Sequence, residues 1–424
     1  MAKDDEFISE PARRTPVKAR ADVLVVGAGA AGVAAAVAAA RQGANVVLVE
    51  RLGYLGGLAT GGLIILLLTM DDGRGRQVIG GLCQEVVERV SRRAGAYFPP
   101  QREWGGREPE LVEHYRRWGL VWGSGPHLVR YSVAYDAEEF KFALNQMVDE
   151  AKLRLLLQCC ACDAIVEDGR LAGVAFQGKA GRFAVLARVV IDASGDGAVF
   201  AAAGCKHESE RVLPWLWLCV GGVEQAPAEI ERGGWFFHTI GEGRVLLPWG
   251  ATERATRKID ATDPDDLAYA ELECRRRVME QVDRLRAEAP GFARAHICHI
   301  ADQLGVTESR RLLGRRVLMR EEMDQACDDV IAITGHWTKY GALYYIPYGS
   351  LLAAEFPNLL VAGRCISVDH RVHHATKEIP PCFATGEAAG VAAALAVNAG
   401  VEPAALKPSV VQEALLRNGA ILRL

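Results

Sequence analysis

The 424-residue chain has no long hydrophobic run. Its longest strongly apolar stretch, 63–68, is far too short to cross a bilayer, so no membrane partner is expected. The net charge of −4 is small for this length. No lysine/arginine block is interleaved with aromatics, which removes the electrostatic footprint of a nucleic-acid binder. Paired cysteines are missing as well: eleven is an odd number, and the spacing suits neither a disulfide framework nor zinc. Cys159, Cys160 and Cys162 fall in an apolar strand-like run and read as small buried hydrophobes. His296, Cys298 and His299 have no second ligand pair at zinc spacing, so no metal is expected. Residues 1–20 mix Asp, Glu, Arg and Pro without an apolar core. They read as a flexible leader and not as a signal peptide, making the cytoplasm the expected compartment and free thiols the expected state. There is no internal repeat and no low-complexity tract.

What is present begins at 22–32, where an apolar run leads into Gly27-Ala28-Gly29-Ala30-Ala31-Gly32, answered by the apolar run 46–49, Glu50 and Arg51. The pattern predicts a buried strand, a glycine turn, an alanine-rich helix and a second strand that ends in a carboxylate. Gly27 permits the tight turn, Gly29 lets the backbone approach a pyrophosphate, and Gly32 lets helix pack on strand. The helix start at Ala30 and Ala31 offers unpaired N–H groups and partial positive charge. Glu50 is placed to take both hydroxyls of an adenosine ribose and to disfavour a 2′-phosphate. An adenine dinucleotide follows from this unit, but not the choice between FAD and NAD.

Further along, 53–62 is a glycine-dense loop, 80–93 and 137–151 have helical periodicity, and 93–129 reads as irregular. Strands are predicted at 153–159, 164–166, 171–176 and 183–191, with Asp168-Gly169 as a hairpin turn. From about 205 the character changes. Aromatics cluster, a charged helix is expected at 265–287, and a basic helix at 308–323 carries Arg310, Arg311, Arg315, Arg316 and Arg320 as structural charges. Trp215, Trp217 and Trp235 read as aromatic packing or as the roof of an apolar pocket. A buried strand at 359–363 and an alanine-rich helix at 380–397 then resume the first pattern. The fold class is therefore α/β, a doubly wound Rossmann-like sheet with an inserted substrate or cap domain. The expected division is a leader at 1–20, a dinucleotide-binding domain from 21–205 plus 345–424, and a cap at 206–344.

Several motifs occur in a fixed order: Gly27-x-Gly29-x-x-Gly32 with Glu50; 55–60; Ile191-Asp192-Ala193-Ser194-Gly195-Asp196-Gly197; 304–311; Ile346-Pro347-Tyr348; 358–367; and Cys382-x-Ala384-x-Gly386-x-Ala388-Ala389-Gly390. In these the chain resembles the FAD-dependent oxidoreductases of the glutathione-reductase-like superfamily, in a group of mostly unassigned substrates, over nearly its whole length. The resemblance implies FAD as cofactor. Gly363 and Arg364 would lie beside the pyrophosphate and ribityl chain, and the loop Gly56, Gly57, Leu58, Ala59, Thr60 would follow the ribityl chain toward the ring. Ala193, Ser194, Gly195 and Asp196 would support the dinucleotide. The helix near Cys382, Ala384 and Thr385 would aim its N-terminus at the ring, where it favours negative charge. Lys377 stands where the family commonly has an arginine, and Gly349 where it commonly has a basic residue after Pro-Tyr. Lysine does not replace arginine in bidentate carboxylate binding. No second Gly-x-Gly-x-x-Gly unit with flanking strand and helix occurs, so a dedicated NAD(P)H domain is not expected. No His-x-Gly-Gly-type attachment precedes Thr60, so the FAD is expected to be noncovalent.

Hydride exchange at flavin N5 needs a nearby acid or base, and the segment after Gly363 is dense in candidates. His370 or His373 is expected to move the proton, with Arg371 or Lys377 holding an anionic or carbonyl group, and His336 to approach from the opposite side. The expected activity is an FAD-dependent oxidation or reduction of a small organic molecule. An NAD-dependent dehydrogenase and a non-catalytic flavin-binding redox sensor are the alternatives, and homo-oligomerisation stays open.

Overall fold

Apolar, largely β-branched runs zip into the centre of a twisted sheet in the computed structural model, which describes residues 8–123, 125–224, 236–250 and 254–424. Strand β1 (Val17–Val26) leads into helix α1 (Ala30–Arg41) and strand β2 (Val46–Val49). Helices α2 (Gly81–Ser91) and α3 (Ala137–Glu150) follow, and then strands β3 (Arg154–Leu156), β4 (Cys160–Glu167), β5 (Arg170–Gly178) and β6 (Gly181–Asp192). Strand β7 (Leu359–Val361) joins from far along the chain. The spatial order is β3-β2-β1-β6-β5-β4, with β7 also on β6. The strands β3, β2, β1, β6 and β7 run parallel, while β4, β5 and β6 form an antiparallel meander. Its first turn, Asp168-Gly169, has both φ angles positive, as a two-residue hairpin requires.

The inserted region forms an antiparallel sheet ordered Phe237–His238, Val245–Gly250, Trp215–Gly221, His296–Ile300. Helix α4 (Pro264–Glu288) packs against it, started by Asp263, whose side chain accepts from the N–H groups of Asp265 and Asp266. The hairpin Val330–His336 and Lys339–Pro347 then leads back. Helices α5 (His370–Thr376) and α6 (Ile379–Ala399) complete the site-bearing part.

The core is set by how closely α1 and α6 approach. A side-chain carbon on Gly386 would lie 2.1 Å from the Ala31 carbonyl oxygen, and one on Gly390 2.1 Å from that of Ala35. Only glycine permits this contact with a backbone carbonyl, and the small alanines around it let the two helices stay close. Helix α6 is also the one helix among the described residues long and apolar enough to cross a membrane. It is instead wrapped by α1, α2 and the hairpin.

Some expectations need correction. Strand β1 starts at Val17, so 17–20 belong to the sheet and not to a leader. The basic helix at 308–323 does not form. Arg310–Leu312 is a strand paired with His207–Ser209, and only Arg320–Glu322 turns, as a single 3₁₀ turn. Arginines three to five apart mimic a charged helix face, but the distant partner strand takes the backbone. The supposedly irregular 93–129 contains helix Pro109–Arg116. All eleven cysteines are free, but Cys160 and Cys162 are exposed on an edge strand and not core. The hairpin Val330–Pro347 straddles the expected cap boundary at 344 and packs on α6.

Glu387, 3 % exposed within α6, accepts from the Leu82 N–H at 2.9 Å and so caps α2. Burial pushes its carboxyl up to about 7. The folded protein therefore holds a proton there that the unfolded chain releases near pH 4.5. This stabilisation is full below about pH 4.5 and is lost as pH rises through 7, on the order of 3 kcal/mol at most. Denaturant titrations from pH 4.5 to 8 should show stability falling, and Glu387→Gln should flatten that fall. An unchanged slope contradicts the assignment.

Candidate active site

The carboxyl ends of four parallel strands lie in register: Val26 is opposite Val49 and Asp192, and Asp192 is opposite Val361. The turns that follow, at Gly27, Glu50, Ala193 and Gly363, surround one cleft, at the edge where open α/β sheets bind ligands. A side-chain carbon on Gly27, with φ +96°, would lie 2.5 Å from the Ala193 carbonyl oxygen, and one on Gly32 1.7 Å from that of Gly27. At Gly29 the same carbon meets nothing within 4 Å, and α1 starts there without a side-chain cap. The first-turn N–H groups of α1 thus meet open space beside Ala30 and Ala31, as a pyrophosphate requires.

Glu50 is buried at the tip of β2. Its carboxylate accepts from the Ala28 N–H at 2.5 Å and the Leu52 N–H at 2.8 Å, which fixes it in the wall with acceptor capacity left for a hydroxyl. The loop at Gly56, Gly57, Leu58 and Ala59 crosses over Gly29, with the Gly56 N–H donating to the Ala28 carbonyl at 2.8 Å. Asp192 holds the next loop by accepting from the Ser194 N–H and hydroxyl and from the N–H groups of Val199 and Phe200. Arg364 ties that loop down, donating to the carbonyls of Gly195 and Val306 and pairing with Asp196, while Arg51 stands 3.7 Å from the other Asp196 oxygen. Burial pushes the Asp196 carboxyl up, but Arg364, Arg51 and the Ser309 hydroxyl together bring it below the ordinary value.

Seventeen of the expected cofactor positions come together on this wall, among them Gly27, Ala193, Gly363 and Cys382, whose thiol burial pushes up to about 12. Gly32, Thr60, Ala384 and Thr385 do not line it. Thr60 turns its hydroxyl back to the Leu55 carbonyl, and Thr385 accepts from the Gly363 N–H and donates to the Pro381 carbonyl. They shape the cleft from behind. The wall also includes Thr307 of the 304–311 motif, and Cys159, Cys160, Gln303 and Glu378, which belong to none of the motifs.

A second cavity adjoins the first. Hairpin residues His336, Thr338, Lys339 and Tyr344 form one side, and His370, Arg371, His374 and Lys377 form the other, with Arg320 and Glu308 between. Lys377 lines both cavities, and its Nζ donates to Thr307 Oγ1 at 3.2 Å. Burial lowers its ammonium below the ordinary lysine value. His370 Nδ1 sits 2.9 Å from Glu308 Oε1, which also accepts from Arg311 Nε at 3.2 Å. Burial pushes Glu308 up, but His373 and His370 bring it down to about 2, so it is ionised. An ionised carboxylate only accepts, so His370 donates to it through Nδ1.

His373 is the correction here. It is fully buried, lies off the cavity wall, and holds the Arg364 carbonyl at 2.8 Å with Nε2. His336 accepts from the Thr338 N–H at 3.3 Å through Nδ1, which leaves its proton on Nε2. Burial, reinforced by neighbouring positive groups, lowers His336 and His374 to about 4, so both are neutral at pH 7. Buried Arg130, paired with Asp71, donates to the carbonyls of His336 and Trp337 and fixes the hairpin tip. Trp215 and Trp217 pack at a tilt, ring centroids 4.9 Å apart, and reach neither wall, which leaves them as packing; Trp235 lies outside the described residues.

The profile of the family described as FAD dependent oxidoreductase matches residues 22–213 and 222–415. The chain belongs to this family. Its cofactor is FAD, and the residues on the cleft fit that group: an open Gly29, free helix N–H groups and a fixed acid at the ribose position. Among solved structures, the fold of this FAD-dependent oxidoreductase is similar to that of a geranylgeranyl bacteriochlorophyll reductase-like protein from Thermoplasma acidophilum. The two are 16 % identical, with TM-score 0.53, covering 95 % of this chain and 84 % of the other. It is also similar to p-nitrophenol 4-monooxygenase from Pseudomonas putida (12 % identity, TM-score 0.53, 94 % and 85 % covered) and to a flavin-dependent brominase (13 %, 0.51, 93 % and 83 %). At such identities the likeness shows the fold: a Rossmann-like FAD domain with an additional domain.

Gly29→Val should purify folded but colourless. Nothing within 4 Å obstructs the new side chain, which instead fills the space beside the α1 N–H groups. Flavin absorbance per mole and a thermal melt read the two parts separately. Retained flavin at wild-type stoichiometry would refute the placement.

Proposed function

We propose that this chain exchanges a hydride between N5 of noncovalent FAD and a small organic substrate held in the second cavity. One observation carries the reading: Lys377 stands on the walls of both cavities, so a molecule in the second borders the cofactor cleft. Bound FAD supplies a two-electron acceptor or donor.

The rest is the work of this chain's residues. The first turn of α1 binds the pyrophosphate, and Glu50 takes the ribose. The N-terminus of α6, next to Glu378 and Lys377, brings partial positive charge to the cleft and favours negative charge on the bound ring. His370 Nε2 takes or returns the substrate proton, with Glu308 orienting the imidazole through Nδ1. Lys377 and Arg371 hold an anionic or carbonyl group, and neutral His336 faces them from the hairpin.

Electrons reach a second partner directly, without a nicotinamide domain of this chain's own. In support, the sequence has a single strand–Gly-x-Gly-x-x-Gly–helix unit, and Gly178 and Gly181 are spent on the hairpin between β5 and β6.

An anaerobic metabolite screen that reads bleaching of the flavin bands tests the activity. With the substrate so found, His370→Ala and Lys377→Met should each slow flavin reduction by roughly 10²-fold or more with the flavin spectrum intact. Glu308→Gln should slow it less and alter its pH profile. Unchanged rates in both His370→Ala and Lys377→Met overturn the roles assigned here.

A further inference from the structure

Several arginines elsewhere in the fold have ion-pair partners. Arg89 lies between Glu85 and Glu150, Arg276 and Arg277 pair with Glu273 and Glu280, and Arg316 pairs with Glu322 and Asp329. The cations of the second cavity differ from these in being unpaired and gathered on one wall. Arg320, Lys339, Arg371 and Lys377 all line it, and none has an ion-pair partner among the described residues. Their hydrogen bonds leave the charges uncompensated. Arg320 and Arg371 use only backbone N–H groups, both to Asp369, and Lys377 uses the neutral Thr307 hydroxyl. The one carboxylate on the wall, Glu308, is already taken by Arg311 and His370. Four unpaired cations from three segments thus converge on one cavity of a chain whose net charge is −4.

Like charges so gathered repel one another, and a bound anion relieves the repulsion. The low proton affinity of His336 and His374 has the same origin in part: after burial, Lys339 and Lys377 are among the groups that disfavour a further positive charge there.

We propose that this cavity binds a small organic dianion. Its inner anionic group rests against Lys377 beside the cofactor cleft, and its outer one against Arg320, Lys339 and Arg371. Thr338, Tyr344 and neutral His374 complete the wall with hydrogen-bonding groups. The assignment deepens the proposed function and rests on its placement of substrate in this cavity. A single carboxylate would leave the cations at one end uncompensated, and a neutral substrate would leave all four.

Calorimetric titration of the oxidised, FAD-loaded protein tests it without turnover. The probes are malonate, succinate and glutarate as dicarboxylates, inorganic phosphate as a compact dianion, acetate as monoanion and succinamide as neutral control. One dicarboxylate should bind at one site per chain, at least about 10-fold tighter than acetate, with affinity falling as KCl rises; succinamide should not bind. Phosphate binding at least as tight as that of every dicarboxylate would overturn the organic dianion in favour of a phosphate site. Arg320→Ala, Lys339→Ala and Arg371→Ala, each at an exposed position, should retain flavin and weaken the dicarboxylate by roughly 5- to 50-fold. No binding of any anion, or affinity unchanged in all three variants, overturns the proposal. So does a neutral compound that bleaches the flavin equally fast in wild type and in Arg320→Ala, although hydride exchange then stands. Dicarboxylate binding with the stated losses, in a protein whose flavin no compound bleaches, upholds the dianion site and removes hydride exchange instead.

Discussion

The site depends on backbone touching backbone. Where α1 meets α6, the separation is set by carbonyl oxygens of α1 against glycines of α6, at Ala31–Gly386 and Ala35–Gly390. Gly363, with φ +82°, is pressed against the Ala31 side chain by the same approach. A methyl group at these positions would separate the two segments and with them the two halves of the cofactor wall. The nucleotide cleft is the gap left at the end of this contact, and its shape is inherited from helix packing more than from any polar contact inside it.

A second tier of organisation radiates from Glu308. Its carboxylate is reached by Arg311 from its own segment and by His370 from α5, with buried His373 3.4 Å away. Arg311 also donates to the Val368 carbonyl, and His373 holds the Arg364 carbonyl. Arg364 in turn clamps the 195–196 loop of the cofactor cleft. One ionised carboxylate therefore links His370 on the second cavity to the 195–196 loop of the cofactor cleft. Burial of such a charge is tolerable because several donors share it.

How much of this was legible in the chain follows from the range of the forces involved. The Gly27–Gly32 turn, β2 with Glu50 and the helices at 81–91, 137–150, 264–288 and 379–399 are dictated by local spacing, and they stand where the pattern puts them. The segment 308–323 departs from the expected helix because its arginine spacing is local, whereas the pairing of Arg310–Leu312 with His207–Ser209 is not. In the histidine cluster, His370, His374 and Lys377 follow an i, i+4, i+7 spacing and share the cavity face, while His373 turns to the core. That spacing was present in the sequence and would have singled out His374. Nothing local, however, could say which face the helix buries. Arg320 and Lys339 became site residues only through the return of the hairpin, a tertiary event without a sequence signature.

Strand β6 has a consequence for how the protein is made. It is bordered by β1 from early in the chain, by β5 just before it, and by β7 from beyond the inserted region. The cleft wall runs from Val26 to Cys382. During synthesis, any nascent chain that ends before Cys382 lacks one side of the nucleotide bed, even with its glycine turn already formed. Cofactor capture therefore waits for synthesis to pass Cys382, and the inserted region must be accommodated before the flavin is.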